Sequence, residues 1–172
     1  MCGIWVTQVV TQGFGGGVVA RLFREGSRAL EFIGIIIYSA QMEILLDASA
    51  IMAVIVDEPE RDEVIELTKN TAIVSPNVVS FEVANALTKM MKRKIIDGES
   101  MINAYRYFKR IAITPVEVDV EKALEIAWEF NIYAYDAYYL ETAKRLNLPL
   151  LTFDSAMGRI GNEMGINILG GR

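Results

Sequence analysis

The chain has no histidine and a single cysteine among its 172 residues. Without histidine there is no Ser-His-Asp triad and no histidine-ligated zinc, and one cysteine forms neither an intrachain disulfide nor a thiolate zinc cluster. One cysteine also fits a reducing, cytoplasmic setting. Any chemistry therefore has to run on carboxylates, and clustered carboxylates without histidine favour Mg²⁺ or Mn²⁺ as their cofactor.

Long apolar runs and an excess of positive charge are also missing. The longest apolar stretches are far shorter than the roughly 20 residues that a membrane-spanning helix needs, so we expect no membrane segment. The net charge of −5 indicates that any contact with nucleic acid depends on a local basic patch or on metal ions. The length of 172 residues, with 52% hydrophobic residues, is enough for one well-buried core and short for two.

The first 41 residues differ from the rest of the chain. Glycines cluster between positions 13 and 17, and no strand or helix period is visible. We therefore divide the chain into an N-terminal extension (1–41), one domain (42–169) and a short tail (170–172). Two interpretations of the extension stay open. It is either an upstream start-codon assignment, with Met42 as the true start, or a real but weakly ordered arm that packs on the domain or on a partner.

From Glu43 onward, short apolar runs alternate with segments of helical period, which indicates a parallel sheet covered by helices on both faces. The Ser75-Pro76 step predicts a helix start, with serine as the cap and proline at the first helical position. The predicted strands are 44–46, 72–74, 111–114, 150–153 and 166–169. The predicted helices are 49–56, 61–69, 77–93, 99–110, 120–130, 136–147 and 156–164.

Two aspartates, Asp47 and Asp154, each follow a predicted strand directly. In an open parallel sheet, ligands bind outside the carboxyl ends of the strands, so these side chains are expected at the edge that carries a site. Each aspartate also precedes a predicted helix, where aspartate is a favoured N-cap. A helix cap and a site residue are both open interpretations for each of them taken singly.

Two further acids, Glu82 and Asp136, lie within predicted helices. Glu82 comes about two turns after the start of its helix and at the rim of the apolar stripe, from which it can lean towards the sheet edge. It also fits a solvated salt bridge with Lys89 or Arg93. Asp136 begins a core-facing stripe at a helix start, where the dipole stabilises negative charge, and an N-cap remains open for it as well.

Carboxylates brought within a few ångströms of each other repel and raise each other's pKa values. A divalent cation removes that penalty, and Mg²⁺ in particular binds carboxylates and water in octahedral oxygen coordination. Such a site polarises a phosphodiester and lowers the pKa of a bound water. The chemistry indicated is metal-assisted phosphodiester hydrolysis, with metal-bound water or hydroxide as the attacking group.

The segments around these four acids resemble the PIN-domain ribonucleases, and especially the toxin component of VapBC-type toxin–antitoxin pairs. The likeness covers residues 43–169 and implies a three-layer α/β/α domain with a central parallel sheet of about five strands. The matching segments are Leu45-Leu-Asp-Ala-Ser-Ala, Glu82-Val-Ala-Asn-Ala-Leu, Tyr135-Asp-Ala-Tyr-Tyr-Leu-Glu-Thr-Ala and Leu151-Thr-Phe-Asp.

The resemblance implies an acidic pocket that holds one or two Mg²⁺ or Mn²⁺ ions. It also marks two positions, Ser49 and Thr152, where the family often has a hydroxyl that bonds an acid or a metal water. Asn85 matches a common polar position near the pocket. The implied catalytic and metal-binding residues are Asp47, Glu82, Asp136 and Asp154.

The resemblance further implies three partners: single-stranded or looped RNA as substrate, a second copy of the chain in a homodimer, and a small antitoxin. The antitoxin would inhibit by occupying the active-site groove. The extension departs from the family pattern, in which toxins begin only a residue or two before the first strand.

Two surface features allow two interpretations each. A basic cluster, consisting of Lys89, Lys92, Arg93 and Lys94, fits steering of RNA phosphates or a solvated helix end whose charges complement the dipole. A group of tyrosines fits stacking on bases or partial burial, including burial at a dimer surface. These tyrosines are Tyr133, Tyr135, Tyr138 and Tyr139.

Other functions account for the acids less well. A receiver domain needs adjacent acids after its first strand and a lysine after its last, and here no lysine follows Phe153. A phosphatase with an aspartate nucleophile needs a second aspartate two residues after Asp47, where Ser49 stands. A catalytically silent PIN domain that binds RNA or serves as a scaffold is the main alternative, and the presence of all four acids counts against it.

Overall fold

The structure, a computed structural model, describes residues 5–10, 17–23 and 33–38 by their backbone and residues 42–170 in full. The chain divides into two compact units, Met1–Gln41 and Met42–Arg172. Among the residues described, no helix is long and apolar enough to cross a membrane.

The N-terminal unit contains three antiparallel strands in the order β1-β2-β3. They are β1 (Trp5–Val10), β2 (Gly17–Phe23) and β3 (Ile33–Tyr38), and the register of β1 on β2 shifts between Val6 and Gln8. The sequence did not predict these strands, because no clear strand or helix period is visible in residues 1–41. The interpretation of residues 1–41 as an extension outside the domain stays a prediction.

The second unit is built on a five-stranded sheet whose strands are all parallel, in the order β6-β5-β4-β7-β8. The predicted parallel sheet is thereby confirmed. Its strands are β4 (Glu43–Leu46), β5 (Ala72–Pro76), β6 (Ile113–Val116), β7 (Leu150–Leu151) and β8 (Ile168–Leu169). Its helices are α1 (Ala48–Ile55), α2 (Arg61–Leu67), α3 (Val79–Lys92), α4 (Gly98–Phe108), α5 (Val120–Phe130), α6 (Ala134–Leu146) and α7 (Ser155–Glu163).

The central strand β4 shows why the unit has three layers. Successive side chains of a strand point to opposite faces, so Ile44 and Leu46 enter one core while Leu45 enters the other. Helices α1 to α4 cover the first core, and α5, α6 and α7 cover the second. A strand buried on both faces has to be apolar at every position, which is the pattern that predicted it.

Asparagines end two of the helices that cover the second core. Asn131 and Asn147 adopt left-handed conformations at the C-termini of α5 and α6, with φ of 51° and 52°. Asparagine tolerates this conformation better than other residues with a side chain.

Gly161 lets α7 lie close to the sheet, because a Cβ there would come 2.4 Å from Ile168.

The predicted helix start at Ser75-Pro76 is wrong. Both residues belong to β5, and α3 begins at Val79. The Ser75 hydroxyl donates to the Leu46 carbonyl of β4 at 2.8 Å, and Pro76 pairs with β6. A tertiary hydrogen bond therefore takes the serine that the local pattern assigned to a cap.

Two strand predictions were misplaced. The third strand was expected over 111–114 but occupies Ile113–Val116, because the Ile111 amide closes a turn onto the Phe108 carbonyl after α4. The fourth was expected over 150–153 and ends at Leu151. The chain beyond Leu151 turns away to place side chains against Asp47.

Leu45→Ala tests the packing of the sheet. Leu45 is 0% exposed in the middle of the central strand, so its truncation should lower the free energy of unfolding by about 2–5 kcal/mol. Leu124→Ala is the matched control, because Leu124 is 52% exposed on α5 and its loss should stay within about 0.5 kcal/mol. Urea unfolding followed by circular dichroism measures both, and equal losses would contradict the assigned core.

Candidate active site

Asp47 and Asp154 lie at the carboxyl ends of two adjacent strands, β4 and β7. Parallel strands end at the same edge of a sheet, and this brings the two residues to one edge. Both also cap helices. Asp47 accepts from the Ala50 amide at 2.8 Å, and Asp154 accepts from the amides of Ala156 and Met157 at 2.9 Å. The cap and the site residue are therefore compatible interpretations of each aspartate.

Asp47 is the most enclosed of the acids, with 2% of its surface exposed. The Ser49 hydroxyl reaches both of its carboxylate oxygens, at 2.7 and 2.8 Å, and the Thr152 hydroxyl donates to Oδ2 at 2.7 Å. Burial raises the pKa of Asp47, and the hydrogen bonds from Ala50, Ser49 and Thr152 oppose that rise. The charge of Asp154 raises this pKa further.

The same two hydroxyls hold the turn that follows β7. The Ser49 hydroxyl accepts from the Phe153 amide, and the Thr152 hydroxyl accepts from the Asp154 amide, each at 3.0 Å. Each hydroxyl thus donates to Asp47 and accepts from the backbone of the turn. The position of Asp154 relative to Asp47 is set by these two side chains.

Glu82 lies in the first turn of α3, and the Tyr139 hydroxyl of α6 donates to its Oε2. Burial raises the pKa of Glu82 to about 6; the charges of Asp47 and Asp136 add to the rise, while Tyr139 and the Lys89 charge oppose it. Among the ion pairs of the described residues, none involves Glu82. The surface salt bridge considered for this glutamate is not formed.

Asp136 lies in the first turn of α6, whose N-cap is Tyr133. The N-cap interpretation of Asp136 is therefore wrong, but its position near the positive end of the helix dipole is as expected. The side chain is half-buried, and burial raises its pKa, followed by the charge of Asp154.

The four acids Asp47, Glu82, Asp136 and Asp154, here called the acidic quartet, are linked by their charges. Asp154 raises the pKa of Asp47 and of Asp136, and these two raise that of Glu82. Within residues 42–170, no three acidic or cysteine side chains are grouped closely enough to hold a metal ion as they stand. Burial is the largest cause of these raised pKa values, and the repulsion that adds to it also opposes a closer approach of like charges.

Another buried acid, Glu141, is neutralised by a basic side chain, unlike the acids of the quartet. Glu141 is 3% exposed and is paired with Arg145, whose Nε lies 2.5 Å from its Oε1. It also accepts from the Asp119 amide at 3.3 Å, while Arg145 donates to the Glu117 carbonyl at 2.7 Å. In the part of the chain that the structure describes, the acidic quartet has no such basic partner.

The donor set of the edge consists of oxygen atoms only. Carboxylates and hydroxyls are ligands that suit hard cations such as Mg²⁺ and Mn²⁺, and the unpaired negative charge favours a cation as well. Four carboxylate oxygens of the quartet remain open. Oε1 of Glu82, Oδ2 of Asp154 and both side-chain oxygens of Asp136 receive no hydrogen bond from a described residue.

The chain is similar to known proteins. Residues 44–163 match the family model of the PIN domain. The chain belongs to the PIN-domain family. It is 28% identical to ribonuclease VapC9 of Mycobacterium tuberculosis over 120 residues, which cover 69% of this chain and 91% of the relative.

Solved structures share the fold. The crystal structure of VapBC2 from Rickettsia felis, bound to a DNA fragment from their promoter, matches with a TM-score of 0.56 and 18% identity, over 74% of this chain and 98% of that one. A toxin–antitoxin complex from Klebsiella pneumoniae matches with a TM-score of 0.51 and 16% identity, over 74% and 96%. The predicted PIN-like α/β/α fold is confirmed, and the receiver and phosphatase alternatives are set aside.

The remaining predicted residues lie around this PIN-domain edge in different ways. Asn85 is exposed on α3, and no hydrogen bond between described residues involves it. Tyr133 and Tyr135 are exposed beside Asp136, whereas Tyr139 is buried and unavailable for stacking. The basic cluster is exposed at the end of α3 and just after it.

The sequence did not indicate the contact between Tyr139 and Glu82. The two residues are 57 positions apart, so no local spacing connects them. The available signal was weaker: Tyr139 lies three residues after Asp136 on one helix, within about 60° of the same face. That spacing places the hydroxyl near an acid without identifying its acceptor.

Glu82→Gln tests the buried charge. The pKa of Glu82 in the folded chain, about 6, lies above the ordinary value of 4.5. The Glu82 carboxyl therefore binds its proton more tightly in the folded than in the unfolded chain. As a result, the free energy of unfolding falls as the pH rises from 4.5 through 6. Glutamine keeps an acceptor for Tyr139 but carries no charge. In EDTA, the variant should melt at a higher temperature than the wild type at pH 8 and at about the same temperature at pH 4.5.

The matched control is Glu129→Gln, because Glu129 is exposed on α5. Its melting temperature should follow the wild type at both pH values. A Glu82→Gln variant that gains nothing at pH 8 would contradict the assigned burial of the charge.

Proposed function

We propose that the protein is a divalent-metal-dependent endoribonuclease, and that it acts as the toxin of a toxin–antitoxin pair. The observation that carries the proposal is the acidic quartet at the carboxyl edge of the sheet, none of whose members forms an ion pair with a basic side chain among the described residues. The substrate is single-stranded or looped RNA, and the bond broken is a phosphodiester.

Two of the four acids, Asp47 and Asp154, differ in their exposure at the proposed site. Asp47 forms the buried floor, where Ser49 and Thr152 fix both of its oxygens. Asp154 is exposed at the rim, and its Oδ2 receives no hydrogen bond from a described residue. Mg²⁺ or Mn²⁺ held by the quartet supplies Lewis-acid polarisation of the phosphodiester and lowers the pKa of a water molecule.

Relatives support the substrate and the partner. VapC9, 28% identical to this chain, is named a ribonuclease. The Klebsiella pneumoniae structure with the same fold is a toxin–antitoxin complex. We extend both properties to this chain: it cleaves RNA, and a small antitoxin covers the edge of the sheet. The homodimer is part of the proposal only through the resemblance of the sequence motifs to the toxin family.

The basic cluster supplies the positive charge that a chain with a net charge of −5 needs for RNA. It follows Glu82 on the same helix, and the charge of Lys89 is felt at Glu82. An RNA backbone that lies along α3 therefore passes from the basic cluster to the acidic quartet. The phosphates are attracted at one end of the helix and cleaved at the other.

A panel of single-stranded and hairpin RNAs tests the activity. With Mn²⁺, the wild type should cleave at least one RNA, and EDTA should abolish the cleavage. Asp47→Asn and Asp136→Asn should lower kcat at least about 100-fold, because each removes a charge of the quartet while keeping the side-chain shape. Gel analysis of end-labelled RNA measures the rates.

Asp97→Asn is the control for this experiment, because Asp97 is an exposed cap of α4. Its cleavage rate should equal that of the wild type. If the folded wild type binds Mn²⁺ and cleaves nothing in the panel, a silent RNA-binding PIN domain becomes the preferred function. Equal rates for Asp47→Asn and wild type would overturn the role of the quartet.

The double variant Lys92→Gln/Lys94→Gln tests the RNA path. It removes two phosphate contacts but keeps Lys89, whose charge acts on Glu82. KM should rise with kcat unchanged, and the slope of log K against log salt should become shallower by about 1.4, since each contact to a single strand contributes about 0.7. Lys122→Gln on α5 is the control and should leave KM and the slope unchanged.

A further inference from the structure

We propose that Tyr139 is a positioning residue. It anchors one carboxylate oxygen of Glu82 so that the other oxygen faces the remaining three acids of the quartet and the cation that they bind. The proposal rests on the function proposed above and adds a residue to its site. Tyr139 is 1% exposed, and its hydroxyl donates to Oε2 of Glu82. Oε1 is left open on the same carboxylate.

A second buried hydroxyl extends this contact to the central strand. Ser75 is 0% exposed and lies beside the Tyr139 hydroxyl, and it donates to the carbonyl of Leu46 at 2.8 Å. Leu46 immediately precedes Asp47. The two hydroxyls therefore connect β4, β5, α3 and α6, the elements that carry or flank three of the four acids.

Glu82 needs such an anchor because its neighbours repel it. Burial acts most strongly against the Glu82 carboxylate and the charges of Asp47 and Asp136 add to this, while Tyr139 and the exposed Lys89 act in its favour. Lysine is a mobile charge in water, whereas the Tyr139 ring is fixed by the second core. Tyr139 is therefore the contact that sets the direction of the carboxylate.

The oxygen geometry shows why this matters for a cation. A glutamate side chain rotates about three bonds, and repulsion from two acids drives it away from them. A hydrogen bond to Oε2 fixes the Glu82 rotamer. Oε1 is therefore already in position when the cation binds, and no further conformational entropy is lost at that step. Partners of ligand side chains of this kind typically change metal affinity by 10–100-fold when they are removed.

Tyr139→Phe tests the proposal, because it removes only the hydroxyl and keeps the ring in the core. Calorimetric titration of the full chain with Mn²⁺ should give a Kd at least about 10-fold weaker than in the wild type. The Mn²⁺ dependence of RNA cleavage should shift by the same factor, while KM for RNA stays unchanged. Ser75→Ala should weaken Mn²⁺ binding in the same direction by a smaller factor.

Tyr105→Phe is the matched control, because Tyr105 is a half-buried tyrosine of α4 that packs against Phe108 in the other core. It should bind Mn²⁺ as the wild type does. A Tyr139→Phe variant with wild-type Mn²⁺ affinity overturns the proposal, whether or not its melting temperature falls. A wild type that neither binds Mn²⁺ nor cleaves RNA overturns the proposed function itself, and this outcome is distinct from the first.

Discussion

The structure depends on bringing like charges to one edge of a sheet. Asp47 is buried at the end of the central strand, and a buried carboxylate is costly unless it is paired or hydrogen-bonded. The chain neutralises Glu141 with Arg145 but surrounds Asp47 with hydroxyls and an amide. These donors satisfy the oxygens without cancelling the charge, so an attraction for cations survives folding.

The helix caps contribute to the same balance. Asp47 and Asp154 each satisfy amides at a helix start that would otherwise lack a partner, and this stabilises the fold locally. The stabilisation offsets part of the repulsion that the site introduces. A small domain can thus hold mutually repelling carboxylates in place when the same residues also cap helices.

The sequence predicted what is local and repetitive. Strand β4 is an apolar run, Asp47 and Asp154 follow predicted strands, and Asp136 begins a predicted helix, so these local patterns located them. It failed where a distant contact outweighed a local preference. Ser75 bonds a carbonyl 29 residues away instead of capping α3, and Tyr139 reaches Glu82 over 57 residues. The strands before residue 42 were missed because the sequence there shows no clear strand period.

The hydrogen bond between Thr152 and Asp47 joins residues that are 105 positions apart. During synthesis, β4 and α1 leave the ribosome long before β7 exists, and contacts of such separation form late. The edge of the sheet is therefore incomplete until nearly the whole domain has been made. The acids of the edge are therefore brought together, and any activity that depends on them appears, only when translation of the domain is nearly complete.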